Sequence, residues 1–295
     1  MSVRLVTALA ATLGFAAHSA HAADFIGLTT GNQIGMISSA NPGAASFTAI
    51  SGLAAGERML GIDLRPSNNM VYGVSSLNRL YTLNAATGAA SFVTALNSAI
   101  INTGIAYGID FNPVADINGA ASLRFVSQAG NNYAINASTG AVGNLGGVIQ
   151  SGITAVAYSN SDASKPTMAP ASTTLYYINT ATDSLLFAPS AFNAPTLTQV
   201  GSLGLGADVI GANGFEIDAM GRGWAALTLD NGDSGLYMIN LATGAATLSG
   251  ALNANLRGLT STPFTAPVPE PESYALMLAG LGLIGAAARR RMTRS

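Results

Sequence analysis

Cysteine is absent from this sequence, and its only two histidines, His18 and His21, fall within the first 22 residues. The stretch from Ala23 to Val268 therefore has neither residue. That excludes a Ser-His-Asp triad, a thiolate nucleophile, an imidazole proton shuttle, and any zinc or iron site built on imidazole or thiolate. It also excludes a disulfide, so stability has to come from burial and backbone pairing. Charge is scarce as well: of 295 residues 9% are charged and 49% hydrophobic, with a formal net charge of −2. Between Ala23 and Val268, seven cations face twelve acids, a net −5 with no basic stripe. Such a surface has no general attraction for nucleic acid or anionic lipid.

The two ends carry what the middle lacks. Arg4, the apolar run Leu5 to Ala17 and the small-x-small pattern Ala20-His21-Ala22 before Ala23 read as a secretory signal, residues 1–22. At the far end Tyr274 to Ala288 is an uncharged run, about 22 Å long as a helix against a hydrocarbon core of about 30 Å. It is followed by Arg289, Arg290, Arg291 and Arg294, which the positive-inside rule keeps cytoplasmic. Both signals thus place the chain between them across the inner membrane. The sequence Pro269-Glu270-Pro271, then a Gly/Ala-rich apolar helix, then a terminal arginine cluster, resembles the PEP-CTERM sorting signal of Gram-negative bacteria, here residues 266–295. That resemblance implies a transient membrane helix, processing by an exosortase-type enzyme, and a destination at the cell envelope, surface or matrix, in association with extracellular polysaccharide and biofilm. A plain single-span anchor is the alternative.

Self-similarity organises residues 23–265. LYTLNAATGAASF (Leu80 to Phe92) returns as NYAINASTGAV (Asn132 to Val142), LYYINTATDSLLF (Leu175 to Phe187) and LYMINLATGAATL (Leu236 to Leu248), and more loosely as IGMISSANPGAASF (Ile34 to Phe47). Each reads as a strand, an Asn-x-x-Thr-Gly turn whose Gly takes positive φ, and a second strand. A preceding unit recurs as LGIDLRP, YGIDFNP, TAVAYSN, FEIDAMG and LRGLTSTP, with central residues Ile62, Ile109, Val156, Ile217 and Leu259 spaced 47, 47, 61 and 42 apart. Those are blade lengths. A further strand (Met70 to Ser76, Leu123 to Gln128, Trp224 to Leu229) makes four per repeat. The first hairpin lacks the preceding unit and the last such unit lacks a hairpin. The sequence therefore predicts an all-β chain, a five-bladed β-propeller whose C-terminal strand closes the first blade; an open solenoid or irregular sandwich is the competing arrangement. GIDFNPVAD, AVAYSNS and LYYINTATDSLLF are similar to a bacterial family of secreted repeat domains of unknown function, which implies a propeller-like fold and carries no assigned catalytic residue to transfer. Ile117 to Ala120 stand as an insertion in that pattern.

Asp63, Asp110 and Asp218 close equivalent strands and could ring one mouth of the axis, where a glycosidase needs paired carboxylates and no imidazole. The competing role, which the adjacent Pro and Asn residues favour, is acceptance of backbone hydrogen bonds in a turn. Asp230, Asp233 and Asp116 sit in Gly-containing loops with oxygen ligands, so calcium is the only cofactor the sequence suggests, and none of these loops is a full calcium motif. Trp224 and the recurrent Tyr81, Tyr133, Tyr176 and Tyr237 read as packing between blades. The expectation is a non-enzymatic surface or matrix protein that binds extracellular polysaccharide. The alternatives are a carbohydrate-active enzyme using the axial carboxylates and a purely structural coat protein.

Overall fold

The computed structural model describes residues 24–162, 164, 166–210 and 214–263. The signal residues Ala20, Ala22 and Ala23, and the sorting residues Pro269, Glu270, Pro271, Arg289, Arg290 and Arg291, lie outside them. Twenty described strands form five four-stranded antiparallel sheets. Blade 1 contains β1 (Asp24–Thr29), β2 (Gln33–Ser38) and β3 (Ser46–Ala49); blade 2 contains β4 (Met59–Arg65), β5 (Met70–Ser75), β6 (Arg79–Leu83) and β7 (Ala90–Ala95). Blade 3 has β8 (Tyr107–Phe111), β9 (Ser122–Ser127), β10 (Asn132–Asn136) and β11 (Val142–Gly143). Blade 4 has β12 (Ile153–Tyr158), β13 (Leu175–Asn179), β14 (Ser184–Ala188) and β15 (Thr198–Ser202). Blade 5 has β16 (Gly214–Ile217), β17 (Gly223–Thr228), β18 (Ser234–Ile239) and β19 (Ala246–Ala251).

The last strand, β20 (Leu256–Ser261), returns to blade 1 and pairs with β1 through Phe25↔Ser261 and Gly27↔Leu259. The inner strands touch in the cyclic order β20, β4, β8, β12, β16 and back to β20, which is the closed five-bladed ring expected from the repeats. Burial follows position in the blade: β8, β12 and β16 are buried throughout, whereas the outer strands β7 and β19 are largely exposed. The apolar core is accordingly five layers, one at each blade boundary, such as Tyr72, Phe111 and Phe125 between blades 2 and 3, or Phe25, Trp224 and Leu259 between blades 5 and 1.

The turns explain the Asn-x-x-Thr-Gly signature. Asn84 Oδ1 accepts from the amides of Ala86 and Thr87 at 3.0 Å each, and Gly88 follows at φ 73°. Asn136 and Asn240 repeat the arrangement with Gly140 and Gly244. A Cβ on Gly140 would lie 2.0 Å from Ala95 O in the preceding blade, so the glycine serves both the turn and the close approach. In blade 4 the sequence reading needs correction. Its LYYIN segment is β13, the second strand, and not the third, so Tyr176 is not equivalent to Tyr81, Tyr133 and Tyr237. Asp183 ends that turn at φ 44°, and the fourth strand is Thr198–Ser202. One antiparallel hairpin reads much like the next in sequence, so a slip by one strand leaves the repeat pattern intact.

Candidate functional site

The inner strands bring small residues together around the axis: Gly61, Gly108, Ala155, Gly214 and Gly258 line one cavity of only about 10 Å³. A Cβ on Gly214 would come within 2.2 Å of Leu259 N, and one on Gly108 within 2.8 Å of Ala155 Cα. Among the described residues, the centre of the ring is therefore packed backbone with no open channel at this level.

Two residues further along each inner strand stand Asp63, Asp110, Ala157, Glu216 and Thr260. One carboxylate oxygen from each of Asp63, Asp110 and Glu216 lies within 4.8 Å of the others. The third member is Glu216, not Asp218. Matching FEID to GID by its Asp shifts the register by two residues, whereas matching the glycines Gly61, Gly108 and Gly214 gives the structural one. Asp218 instead sits in the turn after β16, where its Oδ2 accepts from Arg222 Nε at 2.7 Å and Trp224 Nε1 at 3.0 Å. Its Oδ1 accepts from the amides of Met220 and Arg222, so the turn role fits this residue.

The axial side chains follow one rule, each reaching an adjacent residue of the next blade. Asp63 Oδ2 accepts from Phe111 N at 2.7 Å, Asp110 Oδ1 from Tyr158 N at 3.1 Å, Glu216 Oε1 from Ser261 Oγ at 3.1 Å, and Thr260 Oγ1 from Leu64 N at 2.8 Å. Thr260 also donates to Asp63 Oδ1 at 2.8 Å. Asp63 and Asp110 thus accept backbone hydrogen bonds, as a turn residue would, but across blade boundaries and not within their own turns. Ala157 leaves the boundary between blades 4 and 5 without such an acceptor.

Enclosure shifts all three acids toward their neutral forms. Burial raises the Asp63 carboxyl to about 7 against the hydrogen bonds that favour its charge, with a further push from Asp116. Burial, then the charges of Asp63 and Glu216, holds Asp110 well above the ordinary range; burial and then Asp63 does the same to Glu216. The cluster is a poor calcium cradle: of the seven oxygens that three carboxylates and the Thr260 hydroxyl supply, five already accept hydrogen bonds, against the roughly 6–8 that ion takes. The loop acids proposed from sequence stand elsewhere. Asp116 is buried and occupied, Oδ1 accepting from Arg65 Nε at 2.7 Å and Oδ2 from Ser67 N at 3.0 Å. Asp230 and Asp233 are exposed on the turn between β17 and β18, where Asp233 accepts from Asn231 Nδ2.

Sequence reasoning missed Glu57, which precedes β4 and accepts from Ser75 Oγ, from Ala54 N at 3.0 Å and from Tyr81 Oη at 3.0 Å, with Arg79 Nη1 at 3.4 Å. No repeat marks it. Trp224 is packing, as expected, its ring 5.4 Å from that of Phe25 across the boundary of blades 5 and 1. The larger concavity lies off the axis, a cleft of about 670 Å³ between blades 1 and 2. Apolar Ile26, Met36 and Met70 share its walls with Asn69, Thr82 and Asn84.

These features define a closed five-bladed propeller whose axial acids are sealed and bonded between blades. The chain belongs to the family described as Domain of unknown function (DUF4394), whose model matches residues 33–260. A PEP-CTERM protein-sorting motif matches residues 267–291, so this is an exported, exosortase-processed protein sorted to the cell envelope or surface. No curated protein matches it. Among solved structures it is similar to regucalcin, a calcium-binding protein from Agrobacterium tumefaciens C58, at 14% identity and TM-score 0.42, over 79% of this chain and 68% of that one. It is also similar to a protein of unknown function from Bacteroides thetaiotaomicron, at 13% identity and TM-score 0.46, over 84% of this chain and 63% of the other.

Proposed function

We propose that the mature chain is a non-enzymatic surface or matrix protein that holds extracellular polysaccharide. The observation that carries the non-enzymatic part is access. The acids that a glycosidase would use are clustered at the axis, one oxygen of each within 4.8 Å of the others. They are also sealed behind a crevice, lined by Leu64, Asp162, Glu216 and Ser261, with about 0 Å³ of free space. A sugar ring cannot reach them. The cleft between blades 1 and 2 is instead open, and its amides and hydroxyls beside exposed Met36 and Met70 suit a neutral sugar chain.

One observation favours the enzyme reading: acids held neutral by burial and mutual repulsion are what a general acid needs. The two readings part in a single assay, in which the purified chain is incubated with a panel of extracellular polysaccharides and both retained protein and released sugars are measured. Retention without release, weakened by Asn84→Ala in the cleft, is the expected result. Sugar release that disappears in Glu216→Gln would establish the enzyme, and neither signal would leave a structural coat protein.

A further inference from the structure

Arg124 is a buried cation that forms no salt bridge among the described residues. It belongs to β9, is 4% exposed, and takes no part in the ion pairs found among the described residues, Arg65 with Asp116, Arg79 with Glu57 and Arg222 with Asp218. Its guanidinium donates only to neutral acceptors: Nη1 to Asn132 Oδ1 at 3.0 Å and Tyr133 O at 3.3 Å, and Nη2 to Asn193 Oδ1 at 3.0 Å. Its Nε is sealed from solvent without a partner, and so are the hydroxyls of Tyr158 and Tyr177.

Those tyrosines sit on adjacent strands of blade 4, β12 and β13. The pairs Val156↔Tyr177 and Tyr158↔Leu175 put them diagonally on one face, where they are 1% and 0% exposed. Burial raises both hydroxyls and the nearby positive charge of Arg124 draws both back, while the side chains of Arg124 and Asn112 stand within weak hydrogen-bonding reach of the Tyr158 hydroxyl. Asp110 is opposite Arg124 in the ladder, yet its Oδ1 is taken by Tyr158 N, and burial with Asp63 and Glu216 favours its neutral form. Buried charge without a counter-charge is costly. A water would accept from at most two of the three donors and leave that charge uncompensated.

We propose that the boundary between blades 3 and 4 holds one buried monovalent anion of halide size, bound by Arg124 Nε and the hydroxyls of Tyr158 and Tyr177. The segment after β14 covers the place. Asn132 Nδ2 donates to Phe192 O at 2.9 Å and Asn193 O at 3.3 Å, and the Phe192 ring meets Tyr158 edge-on at 5.1 Å. The anion joins two blades and their cover, so its binding stabilises the folded ring.

The test is to melt the full chain in sodium chloride, sodium bromide and sodium gluconate at equal ionic strength, and to collect anomalous diffraction from crystals grown in bromide. The halides raise the melting temperature over gluconate by about 2–4 °C, Tyr177→Phe loses most of that rise while keeping the fold, and a bromide peak lies beside Arg124 Nε. Absence of the peak there overturns the proposal even if halides stabilise, since that stabilisation then arises elsewhere; so does a halide response unchanged in Tyr177→Phe. Because Arg124→Met removes a buried group with three other bonds, the milder tyrosine variant and the peak decide.

Discussion

Asp63 accepts from Phe111 N in one neighbouring blade and from Thr260 in the other, so truncating it leaves a buried amide without a partner. Asp63→Ala should cost about 1–3 kcal/mol and lower the melting temperature by about 2–4 °C per kcal/mol; thermal melts followed by circular dichroism measure it. A melt like that of the native chain would show that the axial carboxylate carries no stability. The same residue sets a pH dependence. Its folded carboxyl lies at about 7 against an ordinary 3.8, and Asp110 and Glu216 are raised in the same direction. The folded state therefore binds more protons than the unfolded one, so the contribution is complete below the ordinary carboxyl range and fades as pH rises through the raised values. Stability to denaturant should fall from pH 5 to pH 8, by up to about 1.4 kcal/mol per pH unit for each proton released. The double variant Asp110→Asn, Glu216→Gln should flatten that slope. Of the acids singled out in the sequence, Asp63 and Asp110 come together at the axis. Sequence reading missed Glu216 because the more conspicuous Asp218 drew the alignment, although the glycine two places before each axial residue carried the right register.

At the level of the strand and turn, backbone approach decides which substitutions the fold accepts. Gly214→Ala would set a methyl 2.2 Å from Leu259 N, against the rigid backbone of β20. The strand must shift to admit it, and a loss of about 1–3 kcal/mol follows, readable as a lower denaturant midpoint; an unchanged midpoint would mean the axis is looser than its geometry. Ala191 holds φ 55° in the exposed turn after β14, a conformation glycine adopts without strain. Ala191→Gly should therefore leave stability equal or raise it by up to about 1 kcal/mol. The hairpins were legible in sequence because Asn and Gly are each required, by side-chain bonds to the turn and by positive φ. The blade 4 strand order was not legible. Its hairpin turn uses Asp183 and lies one strand further in, and nothing in LYYINTATDSLLF distinguishes a second-to-third turn from a third-to-fourth one.

For the whole molecule, the repeats and their circular permutation made the ring readable, because the unit missing at one end is supplied at the other and β20 occupies the inner place beside β1. The inner strand of blade 1 ends at Ser261, and the sorting motif begins at residue 267, so only a short stretch separates the strand that closes the propeller from the motif. Processing near Pro269-Glu270-Pro271 consequently leaves all twenty described strands in place. Replacing Glu270 and both flanking prolines by alanine should stop processing and leave the fold intact: in the producing cells an immunoblot should show the longer precursor accumulating in the membrane fraction, with the melting temperature of the extracted protein unchanged. A precursor that is processed and released as usual would mean that this motif does not direct the enzyme. A variant that is both unprocessed and less stable would mean that residues beyond Pro263 contribute to the ring, contrary to the closure by β20 that the strand pairing displays.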